Sequence, residues 1–353
     1  VITQSAQRNL QTKTAVAQSG QKERRIKIAH LGLGVIGMET VKAMATKPWA
    51  QIVGGIDVDP AKAGKSLEEV AGVLSLADVP VYRSFDEMMT HVQPDLILHA
   101  AASSVSASFD QIEPMIRSGI SVVSSCEQLL YPYYREPVRS KEINSLCIKH
   151  GASVVGTGVN PGFVMDLMPV CLTGVSKSVE SIYAERVVNA STRRMQLQKK
   201  IGSGMDPQEF RDLFKAGKAG HAGFLESAAL VCHCMGWANP QLVETCEPVI
   251  ADHDITTEFF KVKTGQTCGI HQIVTADIDG DQRLKMDLKM YLDAKNPHDA
   301  VRITGLPNLS LMLEGGVAGD IATVAAMVNA VPRLIKAGPG LHLMTDLSVP
   351  CLS

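Results

Sequence analysis

Three glycines and one acid carry the first legible chemistry of this chain. In IKIAHLGLGVIG (residues 26–37), Gly32, Gly34 and Gly37 spell G-x-G-x-x-G, and Asp57 stands 20 positions beyond Gly37 (57 − 37). The apolar run before the glycines reads as a buried strand, and the segment after them has helical period. In that setting Gly32 permits a tight turn, Gly34 lets the backbone approach a pyrophosphate, and Gly37 allows close helix–strand packing. Free N–H groups at the helix start, with the positive end of its dipole, suit phosphate oxygens. A strand over 51–58 brings Asp57 to where an acid would bind a ribose hydroxyl, ~20 residues on. An ordinary glycine-rich turn would not need that acid in register.

Ligands of a doubly wound sheet sit beyond the carboxyl ends of its strands. Three such ends carry candidates. At Ala100-Ala101-Ala102-Ser103-Ser104, small side chains let the backbone run beside a cofactor ribose, and either serine also suits a helix cap. The stretch SSCEQLLYP (124–132) sets Glu127 after a buried strand, among Cys, Leu and Tyr. A carboxylate over an apolar site has a raised pKa, the tuning a general acid/base needs near neutrality. A solvated or helix-capping glutamate is the plainer reading. The third end, GTGVNPGF (156–163), is too rich in glycine and proline for a generic turn. Asn160 there could hold a carboxamide or the reacting group, or the loop is a rigid hinge between domains. In the basic run RRMQLQKK (193–200), Arg194 or Lys199 would suit a substrate carboxylate, unless the run is a solvated helix face. His221, His233 and His271 are isolated and suggest no metal. Cys232-His233-Cys234 are helix neighbours that point in different directions, so they read as buried thiols rather than ligands.

Positioning these groups takes alternating elements. Helical period is read over 35–47, 60–74, 85–91, 109–117 and 134–150. Apolar strands are read over 79–82, 95–101, 120–124 and 152–155, besides the two already named. This alternation predicts an α/β fold, a Rossmann doubly wound parallel sheet. Beyond Gly156 the pattern changes. Longer strands are expected over 178–188, 241–251, 268–278, 283–294 and 300–303, with helices over 164–172, 207–215 and 224–234. LKMDLKMYLD alternates apolar and polar residues, the mark of a sheet with one wet face. A second α+β domain on an open mixed sheet follows. Residues 316–336 read as a long apolar helix interrupted late by Pro332 and returning to the first domain. The expected division is a tail or arm over 1–23, a dinucleotide-binding domain over 24–157, a substrate and dimerisation domain over 158–315, and a C-terminal segment over 316–353.

Bulk composition narrows the class. A net charge of −2 without a basic stripe argues against nucleic acid or an anionic membrane as partner. No window reaches the ~18 apolar residues of a membrane span. Eight scattered cysteines without a C-x-x-C pair suggest a reducing compartment, the cytoplasm. Residues 1–23 are rich in Gln, Ser and Thr and hold one acid, Glu23, which suits a disordered tail, an arm over a partner subunit, or an organelle-targeting peptide.

LGLGVIG, IDVDPAKAG, SSCEQLLYP, GTGVNPGFVMDLMP, RRMQLQKKIGSG and VNAVPRLIKAGPGL together resemble 2,4-diaminopentanoate dehydrogenases and the related native amine dehydrogenases. The resemblance covers residues 25–348. It implies a dinucleotide-binding domain with a dihydrodipicolinate-reductase-like second domain, usually in a homodimer. It also implies NAD or NADP as cofactor, ammonia and a small carbonyl or amine as substrates, and Glu127 as the residue that handles protons of the amine. Gln128 replaces the lysine of the Glu-Lys-Pro used by sugar-type oxidoreductases. The His-His pair of dihydrodipicolinate reductases has no counterpart. The expected cofactor set is Gly32, Gly34, Val35, Ile36, Gly37, Asp57, Ala101, Ala102, Ser103, Ser125, Cys126, Asn160 and Asn329. The expected substrate pocket is Asn160, Pro161, Phe163, Arg194 and Gln198. Asp57 favours NAD, while Lys62 and Lys65 nearby would ease NADP. An α-carboxylate needs a cation, and Arg194 or Lys199 would supply it only if turned inward rather than to solvent, so a simple aliphatic carbonyl is preferred to a diamino acid. A cofactor-sensing module without chemistry is the reading from another class.

Overall fold

The computed structural model describes residues 24–353; the expected tail or arm lies outside the described residues. The first half alternates as follows: β1 (Ile26–Leu31), α1 (Val35–Ala45), β2 (Ala50–Ile56), α2 (Leu67–Ala71), β3 (Val81–Tyr82), α3 (Phe85–Met89), β4 (Leu96–His99), α4 (Val105–Arg117), β5 (Ser121–Ser124), α5 (Pro137–His150) and β6 (Ser153–Gly156). With a late strand β15 (Gly340–His342), they form a parallel seven-stranded sheet in the order β15-β6-β5-β4-β1-β2-β3. The central strands are apolar along nearly their whole length because helices cover both faces.

The expected helix over 60–74 shrinks to α2. Asp57 and Asp59 accept the N–H groups of Asp59 and Ala61, which winds the segment into turns. Ser66 and Glu69 then close a capping box that starts the helix only at Leu67, and Gly72 ends it with φ +73°.

The second half holds α6 (Leu167–Thr173), β7 (Ser178–Asn189), α7 (Met195–Lys200), α8 (Pro207–Lys215), α9 (Phe224–Cys234), β8 (Gln241–Ile250), β9 (Ile255–Thr256), β10 (Lys261–Val262), β11 (Thr267–Ile278), β12 (Asp281–Tyr291), β13 (His298–Leu306) and β14 (Leu309–Glu314). Its six-stranded sheet runs β14-β13-β7-β12-β11-β8, with β7 and β12 parallel and the other neighbours antiparallel. One face buries Ile182, Ala184, Ile270, Val274, Met286 and Leu288. The last helix, α10 (Gly319–Ala337), packs on α1, β5 and β6 of the first sheet. Pro332 does not end it: the helix runs five residues further, with Val331, Arg333 and Leu334 buried.

Beneath the glycine loop lies His30, 1% exposed, with neither ring nitrogen bonded among the described residues. Burial, then the neighbouring His99, pulls its pKa down to about 3. An unfolded histidine takes its proton near 6.5, so the native state loses stability as pH falls from there toward 3. His30→Leu is expected to spare about 2 kcal/mol of the stability lost between about pH 7 and 5, read from urea unfolding at both values.

Candidate active site

A cavity of about 450 Å³ opens between the carboxyl ends of the parallel strands and the second sheet. The glycine loop forms one wall. Gly32 turns with φ +88° against the Ala100 carbonyl, and a side chain at Gly37 would strike the Gly32 carbonyl. Gly34 faces open space where a Cβ would stand, and it begins α1 without any side chain capping the first-turn N–H groups. Unclaimed donors and a bare backbone beside a cavity fit a pyrophosphate. Asp57 steadies this loop. Its carboxylate accepts Leu33 N–H at 2.8 Å and Asp59 N–H at 2.9 Å, with Lys62 Nζ at 3.2 Å. Burial alone would raise its pKa, yet these partners hold it below the usual carboxylate value.

The floor is built from the next strand ends: Ala101, Ala102 and Ser103 after β4, and Ser125 and Glu127 after β5. Glu127 opens a short 3-10 turn (Glu127–Leu130), and its side chain is 23% exposed. Its surroundings are not the apolar pocket expected from the flanking Cys, Leu and Tyr. Cys126 and Leu129 turn into the core, while Glu127 faces Lys200 Nζ at 4.0 Å. The junction loop supplies Asn160 and Pro161. The carboxamide of Asn160 is buried and has no hydrogen-bond partner among the described residues, an unsatisfied donor and acceptor beside the cavity.

The second domain contributes a basic wall. Buried Arg186 donates to both oxygens of Asp299, at 2.7 and 2.8 Å, and to the Val317 carbonyl. Arg193 reaches Asp320 at 2.9 Å; Arg194 lies 3.5 Å from the same acid. His221 completes the wall, its Nε2 at 2.9 Å from the Asn160 carbonyl oxygen.

Gly34, Val35, Ile36, Gly37, Ala101, Ala102, Ser103, Ser125, Glu127, Asn160, Pro161 and Arg194 therefore meet at one cavity. Six other candidates stand elsewhere. Gly32 and Asp57 shape the loop from behind. Cys126 is buried in the core of the first domain, and Phe163 packs between the two domains' cores. Gln198, fully buried, donates to the Ser191 and Arg193 carbonyls and so holds the arginine loop. Asn329 accepts from Ser353. Lys199 is exposed, and its neighbour Lys200 faces the cavity instead. Arg186, Arg193, Lys200 and His221 escaped sequence reading. The signal for Arg186 was present: it shares inward parity with Ile182 and Ala184 on β7, where a charge needs a reason.

A glycine-loop sheet facing an acid and an unpaired carboxamide across a cavity defines a dinucleotide-dependent oxidoreductase. Residues 163–352 match the family model described as the 2,4-diaminopentanoate dehydrogenase C-terminal domain. The chain is 30% identical over 332 residues to the 2,4-diaminopentanoate dehydrogenase of Acetoanaerobium sticklandii, covering 92% of this chain and 94% of that one. It is 21% identical to an amine dehydrogenase of Streptomyces virginiae, over 90% and 94% of the two chains. In structure it resembles the amine dehydrogenase from Mycobacterium smegmatis, with a TM-score of 0.83 at 22% identity, covering 95% and 99%. The chain belongs to the 2,4-diaminopentanoate dehydrogenase family.

Space at Gly34 makes a sharp test. Gly34→Ala is expected to leave the melting temperature unchanged, because a Cβ there meets no protein atom within 4 Å, while NADH binding, followed by fluorescence, weakens roughly 10-fold or more. Gly37→Ala should unfold more easily instead.

Proposed function

We propose that this protein is an NAD(P)-dependent amine dehydrogenase that joins ammonia to a small carbonyl compound reductively and runs the reverse oxidative deamination. The observation that carries this reading is Glu127, set at the cavity between the uncapped start of α1 and the basic wall. Glu127 takes a proton from ammonium, and the ammonia so formed attacks the carbonyl carbon. A proton passes from the added nitrogen to the former carbonyl oxygen, giving a carbinolamine, and Glu127 then returns its own proton to that hydroxyl, which leaves as water. The carboxylate remaining beside the cationic iminium stabilises it electrostatically. When bound, the nicotinamide supplies the hydride for amination and takes it up in deamination. Asn160 is the side chain suited to hold the ring's carboxamide, and the small residues Ala101 and Ala102 admit the ribose.

Between the two substrate classes, the cavity supports an amine that also bears a carboxylate. Arg194 and Lys200 both line it, so the argument for an uncharged substrate, that the cations point to solvent, loses its basis. The relative from Acetoanaerobium sticklandii bears the name of a diamino acid dehydrogenase, which fits this choice. A homodimer is part of the same proposal.

Glu127→Gln is expected to lower amine oxidation by roughly 100-fold or more while NADH affinity stays unchanged; equal loss of both would assign Glu127 a structural role. A panel of short amines with and without a carboxylate, read by NAD(P)H absorbance, decides the substrate class. For the cofactor, Lys62 sits where it can offset a 2′-phosphate against Asp57. Lys62→Ala should raise the preference for NAD over NADP by about 10-fold in kcat/KM.

A further inference from the structure

His221 is a histidine whose position the fold specifies from several sides. It sits in the loop between α8 and α9, where Gly217, Gly220 and Gly223 all adopt positive φ, at +69°, +92° and +81°. Gln272, on β11 and 1% exposed, grips its backbone twice: the Gln272 carboxamide oxygen accepts His221 N–H at 2.7 Å, and its nitrogen donates to the His221 carbonyl at 3.1 Å. Glu244 on β8 fixes the orientation of that carboxamide by accepting from its nitrogen at 2.8 Å. The same loop lies against the acid: a Cβ at Gly223 would come within 2.9 Å of Glu127 Cβ.

The tautomer follows from the partner. A backbone carbonyl only accepts, so Nε2, at 2.9 Å from the Asn160 oxygen, carries the hydrogen. Nδ1 has no hydrogen-bond partner among the described residues, and the residue lines the cavity. Lys200, Arg186 and Arg193 of the second domain line the same cavity and act on the ring by charge, and Glu127 flanks the loop from the first. Burial, then Lys200, depresses the imidazole pKa to about 3, so the ring stays neutral across physiological pH. Two residues with acceptor capacity thus line one cavity, Glu127 through its carboxylate and His221 through the ring nitrogen left without a partner.

We propose that His221 is a second catalytic side chain, the acceptor that together with Glu127 selects a nitrogen substrate over an oxygen one, with Gln272 as its positioning residue. This rests on the amine dehydrogenase reading. An amine or ammonia has at least two N–H donors, and an alcohol has one O–H. Two fixed acceptors satisfy the nitrogen and leave its lone pair free to attack, or in the reverse direction to push electrons toward carbon. A hydroxyl in the same place leaves one buried acceptor unpaired, the kind of mismatch that discriminates strongly. No proton is transferred to His221; it accepts a hydrogen bond while Glu127 does the proton transfer.

Two substitutions separate this role from a purely structural one. His221→Asn keeps an acceptor near the Nδ1 position, and His221→Gln keeps a donor near Nε2 for the Asn160 carbonyl. In reductive amination, His221→Gln is expected to raise the KM for ammonia roughly 10- to 100-fold with KM for the carbonyl and NADH affinity unchanged, and His221→Asn to retain more of the ammonia affinity. Rescue by Gln rather than Asn, or parallel loss of all three quantities, overturns the proposal. A second readout needs no turnover: nitrogen-15 NMR of histidine-labelled protein should show His221 with Nε2 protonated and Nδ1 bare at neutral pH, and ammonium chloride should shift the Nδ1 resonance. A protonated Nδ1, or a resonance indifferent to ammonium chloride, also overturns it. If the wild-type protein turns over no amine, the parent reading fails, and the NMR arm still decides the state of His221.

Discussion

A buried carboxylate, Asp166, holds the two halves of the site together. It is fully buried, and its oxygens accept the Gly162 N–H at 2.9 Å, the Leu167 N–H at 2.6 Å and the Ser227 hydroxyl at 2.6 Å. Burial pushes its pKa up, and those three donors pull against the rise. The bonds join the junction loop, the start of α6 and the first turns of α9 at one atom group. Asn160 and Pro161 lie just before this knot. The His221 loop leads into α9 just after Gly223, whose missing side chain lets it sit against Pro161 and Glu127. The junction loop and the His221 loop, both at the cavity, are thereby referenced to one carboxyl group. Removing it would strand three buried donors at once, a far larger penalty than the loss of one surface pair.

The basic wall is less charged than its residue types suggest. Arg186 is neutralised by the two oxygens of Asp299, both groups being almost fully buried, and Arg193 by Asp320. Arg194 shares Asp320 at the longer distance of 3.5 Å, and Lys200 reaches Glu127 only at 4.0 Å. Two cations thus form the frame, and two remain loosely held within reach of a ligand. Coulomb attraction in a partly wet cavity amounts to about 1–4 kcal/mol per contact, enough to favour an anionic group over a neutral one without trapping it.

The first domain was legible because its signals are local. Glycines, a strand-end acid and near-continuous apolar strands each report on a few neighbours, and the parallel sheet follows from their alternation. The stretch at 60–74 misled because its helical period competes with Asp57 and Asp59, whose side chains take backbone N–H groups and wind turns first. The basic wall was only half legible. Periodicity cannot say which of Lys199 and Lys200 turns inward, since α7 is six residues long and its direction is set by buried Gln198 tying it to the Ser191 and Arg193 carbonyls. His221 looked isolated because its partners, Asn160 and Gln272, are 61 and 51 residues away. Cavity-lining residues that depend on such tertiary closure cannot be read from spacing, whereas a glycine in a turn can.

The C-terminal helix explains how walls from separate domains keep their spacing. α10 begins at the cavity, where Gly319 gives the Arg193 guanidinium room that a side chain would occupy, and Asp320 pairs with the same arginine. Its body then packs along α1, the helix that starts at the glycine loop. One rigid 19-residue element therefore touches both the basic wall and the helix that follows the glycine-rich turn. The distance between these two surfaces is fixed by side-chain packing along a helix, which resists compression far better than a linker would. Asp320 therefore orients a cation of the basic wall through its carboxylate, and ties that orientation to the glycine loop through the helix that carries it.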